Sequence, residues 1–380
     1  MPAHLYIHVP FCDGKCHYCG FYSVVAAPGI IALYSGLPAH ELDLLLAKHP
    51  GLARGPLRTV YMGGGTPAML GTDGLTRLAD SLAARLPFDA LEEWTVELNP
   101  ASVTPGLLKT LAALGVNRIS IGVQSFDDAT LSRIGRRHTS EDARRAVRQA
   151  QDAGFSNTGI DLIAGLPGAT PELWQKTLER AADLELKHLS VYALTLEPDT
   201  PLAVQVAAGL VLPDDEAQLA ALDQAEAVLG QAGFVRYEIS NYALPGFECR
   251  HNLSVWRGND YLGLGPAAAS RIGRSRWTNS EDLSEYIEGL TRRREIPCTR
   301  ETLSGEDDAT ERAIFALRLS EGIDPFADAR RFPALRDSAA RWEKRLEGLA
   351  RQGITERGGL RWRLTARGRE VCDAILRELV

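Results

Sequence analysis

The 380-residue chain has the composition of an ordinary globular protein, 45% hydrophobic and 24% charged, and its length favours one large domain plus a smaller one. Its formal net charge of −7 argues against a surface built to neutralise many phosphates, so no nucleic-acid partner is expected. The first residues lack the features of a signal peptide, and no run approaches the ~20 apolar residues of a membrane span. These observations predict a cytoplasmic protein, where clustered cysteines indicate metal binding or catalysis rather than disulfides.

Up to about residue 245, short β-rich segments alternate with longer amphipathic ones. The predicted strands are Leu5–Val9, Thr59–Met62, Trp94–Leu98, Arg118–Val123, Thr158–Ile163, Leu189–Leu194 and Arg236–Ile239. Several intervening helices are predicted to begin at a Ser, Thr or Asp cap; they include Thr104–Leu114, Ser140–Ala153, Thr170–Leu184 and Pro213–Ala232. Such alternation indicates parallel strands joined by right-handed crossovers, in a barrel or an open doubly wound sheet.

Polar and glycine-rich residues recur at the carboxyl ends of these strands. A cysteine-rich loop follows the first strand, and the others contribute Gly63–Pro67, Glu97, Asn99, Gln124 and Asp161. A site ringed by strand ends is typical of a (β/α) barrel. We therefore predict an α/β fold in which residues 1–245 form a partial TIM-like barrel.

The remainder of the chain is predicted to form two further parts. Residues 246–295 read as an irregular connecting segment, and residues 296–380 as a winged-helix-like α+β domain. The elements expected in this domain are helices at Asp308–Leu319, Pro325–Phe332 and Asp337–Gln352, a hairpin within Ile354–Leu364 and a helix from Thr365. Because a strongly basic face is lacking, a packing or interaction role is favoured over DNA binding.

Three of the six cysteines, Cys12, Cys16 and Cys19, lie within eight residues. A disulfide would leave one thiol over and suits a different compartment. A zinc site would need His8 or His17 as the fourth ligand, although structural zinc usually draws on two short cysteine pairs. A 4Fe–4S cluster held at three irons would leave its fourth iron open to a small molecule. The residues alone leave these alternatives open.

The spacing Cys12-x3-Cys16-x2-Cys19, with Tyr18 before the last cysteine, resembles that of the radical S-adenosylmethionine (SAM) superfamily. The resemblance implies a 4Fe–4S cluster on these cysteines, with SAM bound to the open iron through its amino and carboxylate groups. In that superfamily an electron from the cluster cleaves SAM to methionine and a 5′-deoxyadenosyl radical.

The stretch from Tyr6 to Cys12, YIHVPFC, resembles the oxygen-independent coproporphyrinogen III oxidase group, and the similarity continues to about residue 270. The resemblance implies SAM contacts for Tyr6, Tyr18, Gly64, Gly65, Thr66, Glu97 (ribose side), Gln124 and Arg136 (methionine end), and Asp161 (ribose hydroxyls). These residue types suit the ligand, because carboxylates accept from hydroxyls, arginine pairs with carboxylate, and glycine permits close approach. Singly, each residue equally suits a solvated strand end, a cap or a turn.

Two departures separate this chain from the oxidases it resembles. Phe21 stands where the oxidases have a further cysteine, and Tyr6 lies almost at the N-terminus, where they carry an extension. Both departures match the HemW-type heme chaperone branch of the same group. That resemblance implies heme binding, heme-acceptor proteins and an electron donor such as a flavodoxin or ferredoxin.

The segment His251-Asn252-Leu-Ser-Val255-Trp256 resembles the His-Asn-x-x-Tyr-Trp segment of the heme chaperones, which implies that His251 ligates heme iron. Without the resemblance, a hydrogen-bonded loop histidine is the simpler interpretation. Val255 replaces the tyrosine of that segment, and Ala269 stands where histidine is common. Cys249 is either a compensating ligand or a buried inert thiol, and Cys298 and Cys372 have no assigned role.

The leading hypothesis is a heme chaperone that binds a 4Fe–4S cluster, SAM and heme and transfers heme to hemoproteins. The alternative is an oxygen-independent coproporphyrinogen III oxidase or a related tetrapyrrole enzyme. A third hypothesis is a winged-helix regulator with a sensing cluster. The chain is expected to be a monomer or dimer that makes at most transient contact with membrane hemoproteins.

Overall fold

The computed structural model describes residues 3–49, 55–331, 336, 338–372 and 375. The strands within them are β1 His4–Val9, β2 Thr59–Gly64, β3 Glu93–Leu98, β4 Arg118–Gln124, β5 Asn157–Ala164, β6 His188–Ala193, β7 Val235–Arg236, β8 Asn241–Ala243, β9 Leu262–Leu264, β10 Ala269–Ile272, β11 Ser275–Asn279, β12 Cys298–Thr302, β13 Thr355–Gly358 and β14 Arg361–Leu364.

The helices within the same residues are α1 Pro28–Tyr34, α2 Leu37–Lys48, α3 Gly71–Ala83, α4 Pro105–Ala113, α5 Asp128–Arg133, α6 Ser140–Asp152, α7 Pro171–Ala182, α8 Pro201–Ala207, α9 Asp215–Gln231, α10 Arg250–Trp256, α11 Leu283–Glu288, α12 Gly305–Leu317, α13 Pro325–Arg331, α14 Ala339–Ala350 and α15 Ala366–Glu370. Short 3-10 turns at Pro67–Leu70, Phe88–Ala90 and Pro100–Ser102, and a π-helical turn at Gly289–Arg293, complete them.

One large sheet has the strand order β7-β8-β6-β5-β4-β3-β2-β1-β9. Strands β1 to β6 and β9 pair in parallel with one another, whereas β8 is antiparallel to both β6 and β7. Among the described residues β7 and β9 are the edges of this sheet, so the barrel is partial. The predicted α/β fold class and the first six predicted strands are confirmed.

The seventh predicted strand, Arg236–Ile239, is wrong beyond its first residue. The chain turns after Arg236, where the Tyr237 amide donates to the Asn241 carbonyl (3.0 Å) and Arg236 Nε donates to the Ile239 carbonyl (3.0 Å). This tight return produces the antiparallel strand β8, which a search for strand–helix alternation does not find.

The predicted helices and their caps are present. Side chains of Thr104, Thr139, Thr170 and Asp214 accept hydrogen bonds from the first turns of α4, α6, α7 and α9, which satisfies amide groups that have no partner within a helix. The strands between them are buried nearly without interruption, as in β4 with its pattern of five buried residues out of seven. Such runs are typical of parallel strands covered by helices.

The connecting segment 246–295 is not irregular. Helix α10 opens it, β9 pairs with β1 at Leu5, Tyr6 and Ile7, and β10 and β11 form an antiparallel sheet with β12, which follows the segment. Strands of three to five residues with few β-branched residues leave little periodic signal, which is why the sequence did not reveal them. The division of the chain at residues 245 and 295 stays a prediction.

The C-terminal region contains α12, α13 and α14, then the hairpin β13–β14 and α15, in the predicted order. It has a hydrophobic cluster of its own, which includes Leu317, Ile323, Trp342, Leu346 and Trp362. The predicted bounds at Phe332 and Asp337, and much of the last helix, lie outside the described residues. The winged-helix interpretation is compatible with this order and stays a prediction.

By length and composition alone, Pro28–Lys48 passes as a membrane span, which corrects the expectation that no run approaches one. A single such stretch is weak evidence, and the chain breaks at Ser35 and Gly36 into α1 and α2. Moreover, Glu41 of α2 is fully buried and accepts hydrogen bonds from the Gly265 amide (2.8 Å), Asn279 Nδ2 (2.6 Å) and the Tyr286 hydroxyl (2.6 Å). These contacts are those of a helix packed within the protein.

Replacing Glu41 by alanine leaves three buried donors without this acceptor, so we expect Glu41→Ala to lower the free energy of unfolding by about 2–4 kcal/mol. Asp43 on the same helix is 46% exposed and pairs with Arg85 on the surface, so Asp43→Ala should cost only about 0–1 kcal/mol. Urea unfolding of both variants measures the difference. Equal effects would contradict the structural role of Glu41.

Candidate functional site

The three clustered cysteines lie in a loop that leaves the carboxyl end of β1. The loop is closed by backbone hydrogen bonds from the Cys12 amide to the Val24 carbonyl (3.1 Å) and from the Val24 amide to the Pro10 carbonyl (2.8 Å). At its middle, the His17 amide donates to the Ile134 carbonyl (3.0 Å). The backbone of the loop is therefore fixed before any ligand binds.

All three thiols are free and partly exposed. Thr66 Oγ1 lies 3.6 Å from the Sγ atom of Cys12, and Arg136 Nη1 donates to the Sγ atom of Cys16 at 3.4 Å. Burial raises the pKa of Cys19. Three free thiols on one fixed loop are a suitable donor set for an iron–sulfur cluster.

The two histidines of the zinc alternative differ, because both ring nitrogens of His8 are engaged whereas His17 is bonded through one nitrogen only. The ring nitrogens of His8 are engaged by the Tyr6 hydroxyl (3.1 Å) and the Tyr22 carbonyl (2.9 Å), and Nδ1 of His17 is bonded to the Arg133 carbonyl (3.0 Å). In the part of the chain that the structure describes, no three His, Cys, Asp or Glu side chains are placed to hold one metal ion. Thiolates of a 4Fe–4S cluster bind separate irons and so stand further apart.

The glycine loop after β2 brings backbone close to the cysteine loop. A Cβ atom on Gly65 would lie 2.6 Å from the Phe11 carbonyl oxygen, and one on Gly63 would lie 2.3 Å from Glu97 Oε2, so only glycine fits. The amides of Gly64, Gly65 and Thr66 already donate to Glu97, Val9 and Phe11. The Thr66 carbonyl also accepts from the Met69 amide (2.9 Å), and a carbonyl oxygen has a second lone pair that can accept from a ligand.

Two carboxylates face the interior of the barrel beyond this loop. Glu97 on β3 accepts from the Tyr61 hydroxyl (2.6 Å), and burial raises its pKa to about 7. Asp161 on β5 accepts from the Ser120 hydroxyl (3.2 Å), and burial raises its pKa as well. A cationic or hydroxyl-bearing ligand would favour their charged forms.

Strand β4 ends in a bulge that directs two further groups to the site. Gln124 has a positive φ of 69°, and the register shifts between Gly122 and Gln124, as is common where a strand re-aims a side chain. Arg136 donates to the Gly122 carbonyl and, at 3.1 Å, to Asn99 Oδ1. Arg136 is thereby held beside the cysteine loop.

Two cavities of about 560 and 470 Å³ open at this end of the barrel, within the size range of small-molecule sites. They share six lining residues, Tyr18, Cys19, Phe21, Gly65, Glu97 and Asn99. The first also contains Cys12, Cys16, Gly64, Thr66 and Arg136, and the second reaches Gln124, Asp161 and Tyr192. The structure thus brings together every predicted SAM residue except Tyr6, whose hydroxyl is bonded to His8 deeper in the barrel.

His251 lies at the opposite end of the barrel, near the first residues of β1 and β2. Its Nδ1 atom is hydrogen bonded to Thr59 Oγ1 (2.9 Å), its ring centroid lies 5.3 Å from that of Tyr61, and only 5% of the residue is exposed. The predicted role of His251 as heme ligand stays a prediction. Its location excludes direct contact with the cysteine loop.

The neighbours of His251 have other roles than those considered from sequence. Trp256 packs edge-on against Phe315 (5.6 Å between centroids) and lies under the Arg318 guanidinium. Cys249 is buried 3.4 Å from Glu93 Oε1, and burial raises its thiol pKa to about 12, which disfavours a compensating thiolate. Ala269 lines a separate cavity of about 380 Å³ between β10 and α12.

Sequence reasoning missed Thr59 and Tyr61, the lumen residues of β2. They precede Gly63 at alternate positions, so a strict period of two along this strand would have placed both on the inner face. Their neighbours in space, Glu97 and His251, are distant in sequence, and no local pattern indicates those pairings.

A partial parallel barrel with a Cys-x3-Cys-x2-Cys loop at its carboxyl end defines a radical SAM protein, and the model of the radical SAM superfamily matches residues 6–181. A relative named heme chaperone HemW from Mycobacterium tuberculosis is 35% identical over 383 aligned positions, covering 100% of this chain and 95% of that one. The heme chaperone HemW of Escherichia coli is 40% identical over 273 positions, covering 71% and 70%. The chain belongs to the radical SAM superfamily and, within it, to the HemW family.

Among solved structures, the chain is similar to coproporphyrinogen III oxidase (HemN) from Escherichia coli, described as a radical SAM enzyme. The TM-score is 0.83 at 27% sequence identity, with coverage of 99% of this chain and 89% of that one. Membership of the superfamily implies a 4Fe–4S cluster and SAM. The described residues at the carboxyl end of the barrel fit both.

Joint replacement of Cys12, Cys16 and Cys19 by alanine should abolish the iron–sulfur absorbance of anaerobically reconstituted protein, because it removes the whole thiolate set. Joint replacement of Cys249, Cys298 and Cys372 is the matched control and should keep the absorbance. Retention of one bound zinc by the wild type, without iron, would instead support the zinc alternative.

Proposed function

We propose that this protein is a heme chaperone that binds a 4Fe–4S cluster, SAM and heme and delivers heme to hemoproteins. The observation that carries the proposal is the 35% identity, over the whole chain, to a protein named heme chaperone HemW. Phe21 supports it, because this 69% exposed phenyl ring lines both cavities beside the cysteine loop where the oxidases have a cysteine.

At the cluster end we propose the following division of labour. A cluster on the three cysteines would supply the electron that cleaves SAM. Arg136 holds the methionine carboxylate together with Gln124, and Glu97 and Asp161 accept from the ribose hydroxyls. Tyr18 and the carbonyls of Gly64, Gly65 and Thr66 complete the contacts. Tyr6 lies deeper in the barrel, below these residues.

We expect Asp161→Asn to weaken SAM binding by about tenfold or more, since a hydrogen bond to a charged group contributes about 1.5–3 kcal/mol. Anaerobic equilibrium dialysis measures this, with the iron–sulfur absorbance expected to stay unchanged. Asp73→Asn, an exposed change on α3, serves as control. An unaltered SAM affinity in Asp161→Asn would remove Asp161 from the site.

Coproporphyrinogen III oxidase activity is the second candidate function. The observation in its favour is the TM-score of 0.83 with an oxidase that also extends over 99% of the chain. Under this alternative, anaerobic incubation with SAM, a reductant and coproporphyrinogen III yields protoporphyrinogen IX at enzymatic rates. The chaperone proposal expects no turnover and saturable binding in a parallel hemin titration.

We expect His251→Ala to reduce hemin affinity while leaving the cluster absorbance intact, because the proposed heme region lies at the other end of the barrel. A titration followed at the Soret band measures the effect. His49→Ala, an exposed histidine at the end of α2, is the control. An unchanged titration for His251→Ala would show that this histidine takes no part in heme binding.

The proposed partners follow from the same function. Hemoproteins accept the heme, some of them through transient contact at a membrane, and a flavodoxin or ferredoxin supplies electrons to the cluster. We propose a cytoplasmic monomer or dimer that uses no nucleic acid.

A further inference from the structure

Two sulfur atoms of the cysteine loop lie beside hydrogen-bonding side chains from elsewhere in the chain. Thr66 Oγ1, in the glycine loop after β2, lies 3.6 Å from Cys12 Sγ. Arg136, in the turn between α5 and α6, donates from Nη1 to Cys16 Sγ at 3.4 Å. Hydrogen bonds to the sulfurs of an iron–sulfur cluster are one of the means by which a protein sets the reduction potential of the cluster.

Asn99, directly after β3, connects these two side chains. Its Oδ1 atom accepts from Arg136 Nη2 at 3.1 Å, and its Nδ2 atom donates to Thr66 Oγ1 at 2.8 Å. Chemistry fixes which amide atom is which, because a guanidinium can only donate and the atom that faces Arg136 must therefore be the oxygen. The nitrogen of Asn99 consequently faces Thr66.

The direction of each hydrogen bond in this network follows from that orientation. Because Thr66 Oγ1 accepts a proton of Asn99, its own single proton is left for another acceptor. Cys12 Sγ is the acceptor beside it, so the hydroxyl donates to this sulfur. The network runs from one guanidinium through one amide and one hydroxyl to Cys12, and the same guanidinium donates directly to Cys16.

Backbone contacts hold Thr66 and Asn99 in place. The Thr66 amide donates to the Phe11 carbonyl at 2.7 Å. The Asn99 carbonyl accepts from the Ser102 amide at 2.9 Å and from the Ser102 hydroxyl at 2.7 Å. Only 4% of Thr66 is exposed, so water competes little for its hydroxyl. The fold itself therefore positions both donors against the sulfurs.

We propose that Thr66, Asn99 and Arg136 set the reduction potential of the cluster on the cysteine loop. Reduction makes the cluster more negative, and hydrogen-bond donors and a guanidinium beside its sulfurs stabilise that state more than the oxidised one. The three are positioning residues that make the cluster easier to reduce. One Nη1 hydrogen of Arg136 remains for the carboxylate of SAM. The inference rests on the cluster that superfamily membership implies and goes beyond the heme-chaperone proposal.

The test is an anaerobic redox titration of the full-length reconstituted protein without SAM, followed by the EPR signal of the reduced cluster. Thr66→Val removes the donor to Cys12 and keeps the shape of the side chain. It should lower the ratio of reduced to oxidised cluster at a fixed potential about tenfold, a shift of about 59 mV for a one-electron couple. Thr66→Ser should restore the wild-type potential. Thr72→Val, the same exchange at an exposed threonine of α3, should leave it unchanged.

Asn99→Asp tests the connection between the two donors. Aspartate can only accept, so the Thr66 hydroxyl turns towards it and away from Cys12, and the added charge lowers the potential further. A double-mutant cycle with Thr66→Val separates the two effects. The combined shift should be smaller than the sum of the single shifts, because both changes remove the same hydrogen bond. Additive shifts would show that Asn99→Asp acts by charge alone and would overturn the role of Asn99.

Iron content shows whether each variant is loaded, so the remaining outcomes are decisive. An unchanged potential in loaded Thr66→Val overturns the inference, as does a shift of equal size in Thr66→Ser. If Thr66→Val takes up no cluster, Arg136→Lys replaces it, since lysine keeps the charge but lacks the fork that contacts Cys16 and Asn99 together. Its potential should fall, and an unchanged value overturns the inference. Hemin titration tests the chaperone proposal separately, so failure of that proposal leaves these measurements unaffected.

Discussion

Strand β1 is the constraint on which the rest of the structure depends. It pairs in parallel with β2 over six residues and with β9 over three, and Leu5, Ile7 and Val9 are buried on it. Because a strand rises about 3.3 Å per residue, its two ends lie about 16 Å apart. The cysteine loop leaves one end, and His4 at the other end lies beside His251, so a single strand relates the positions of the proposed SAM and heme sites.

The interior of the barrel contains charged and polar side chains. Their burial lowers the free energy of unfolding, and the apolar contacts of the surrounding strands must offset this loss. Arg118 is almost completely buried near Glu93 and Cys249, with Nη1 only 3.4 Å from Thr95 Oγ1. Buried charges are tolerated when paired and are often retained for function. Burial likewise raises the pKa values of the carboxyl groups near the cysteine loop. That end of the barrel therefore favours a ligand that stabilises their charged forms.

Much of this architecture was predictable, because the signals are local. The apolar runs of β1 to β6 and the threonine and aspartate caps predicted the barrel, and residues at strand ends predicted the cluster site. The end of the barrel opposite the cysteine loop was not predictable in this way, because Thr59 and His251 are hydrogen bonded although they are 192 positions apart. Strands β7 to β9 are two or three residues long, which is too short for a periodic signal. Glu41 is buried by partners more than 200 residues away, and no local pattern in α2 indicates those contacts.

Tyr61 lies between the two ends of the barrel. Its hydroxyl is bonded to Glu97 and its ring packs against His251, so side chains fill the described part of the interior along this line. Under the proposed function, a tetrapyrrole bound at the His251 end and SAM bound at the cysteine loop would therefore occupy separate compartments of the barrel. Any coupling between them would pass through packed side chains rather than through solvent, and a radical formed at the cysteine loop would be separated from the tetrapyrrole by protein.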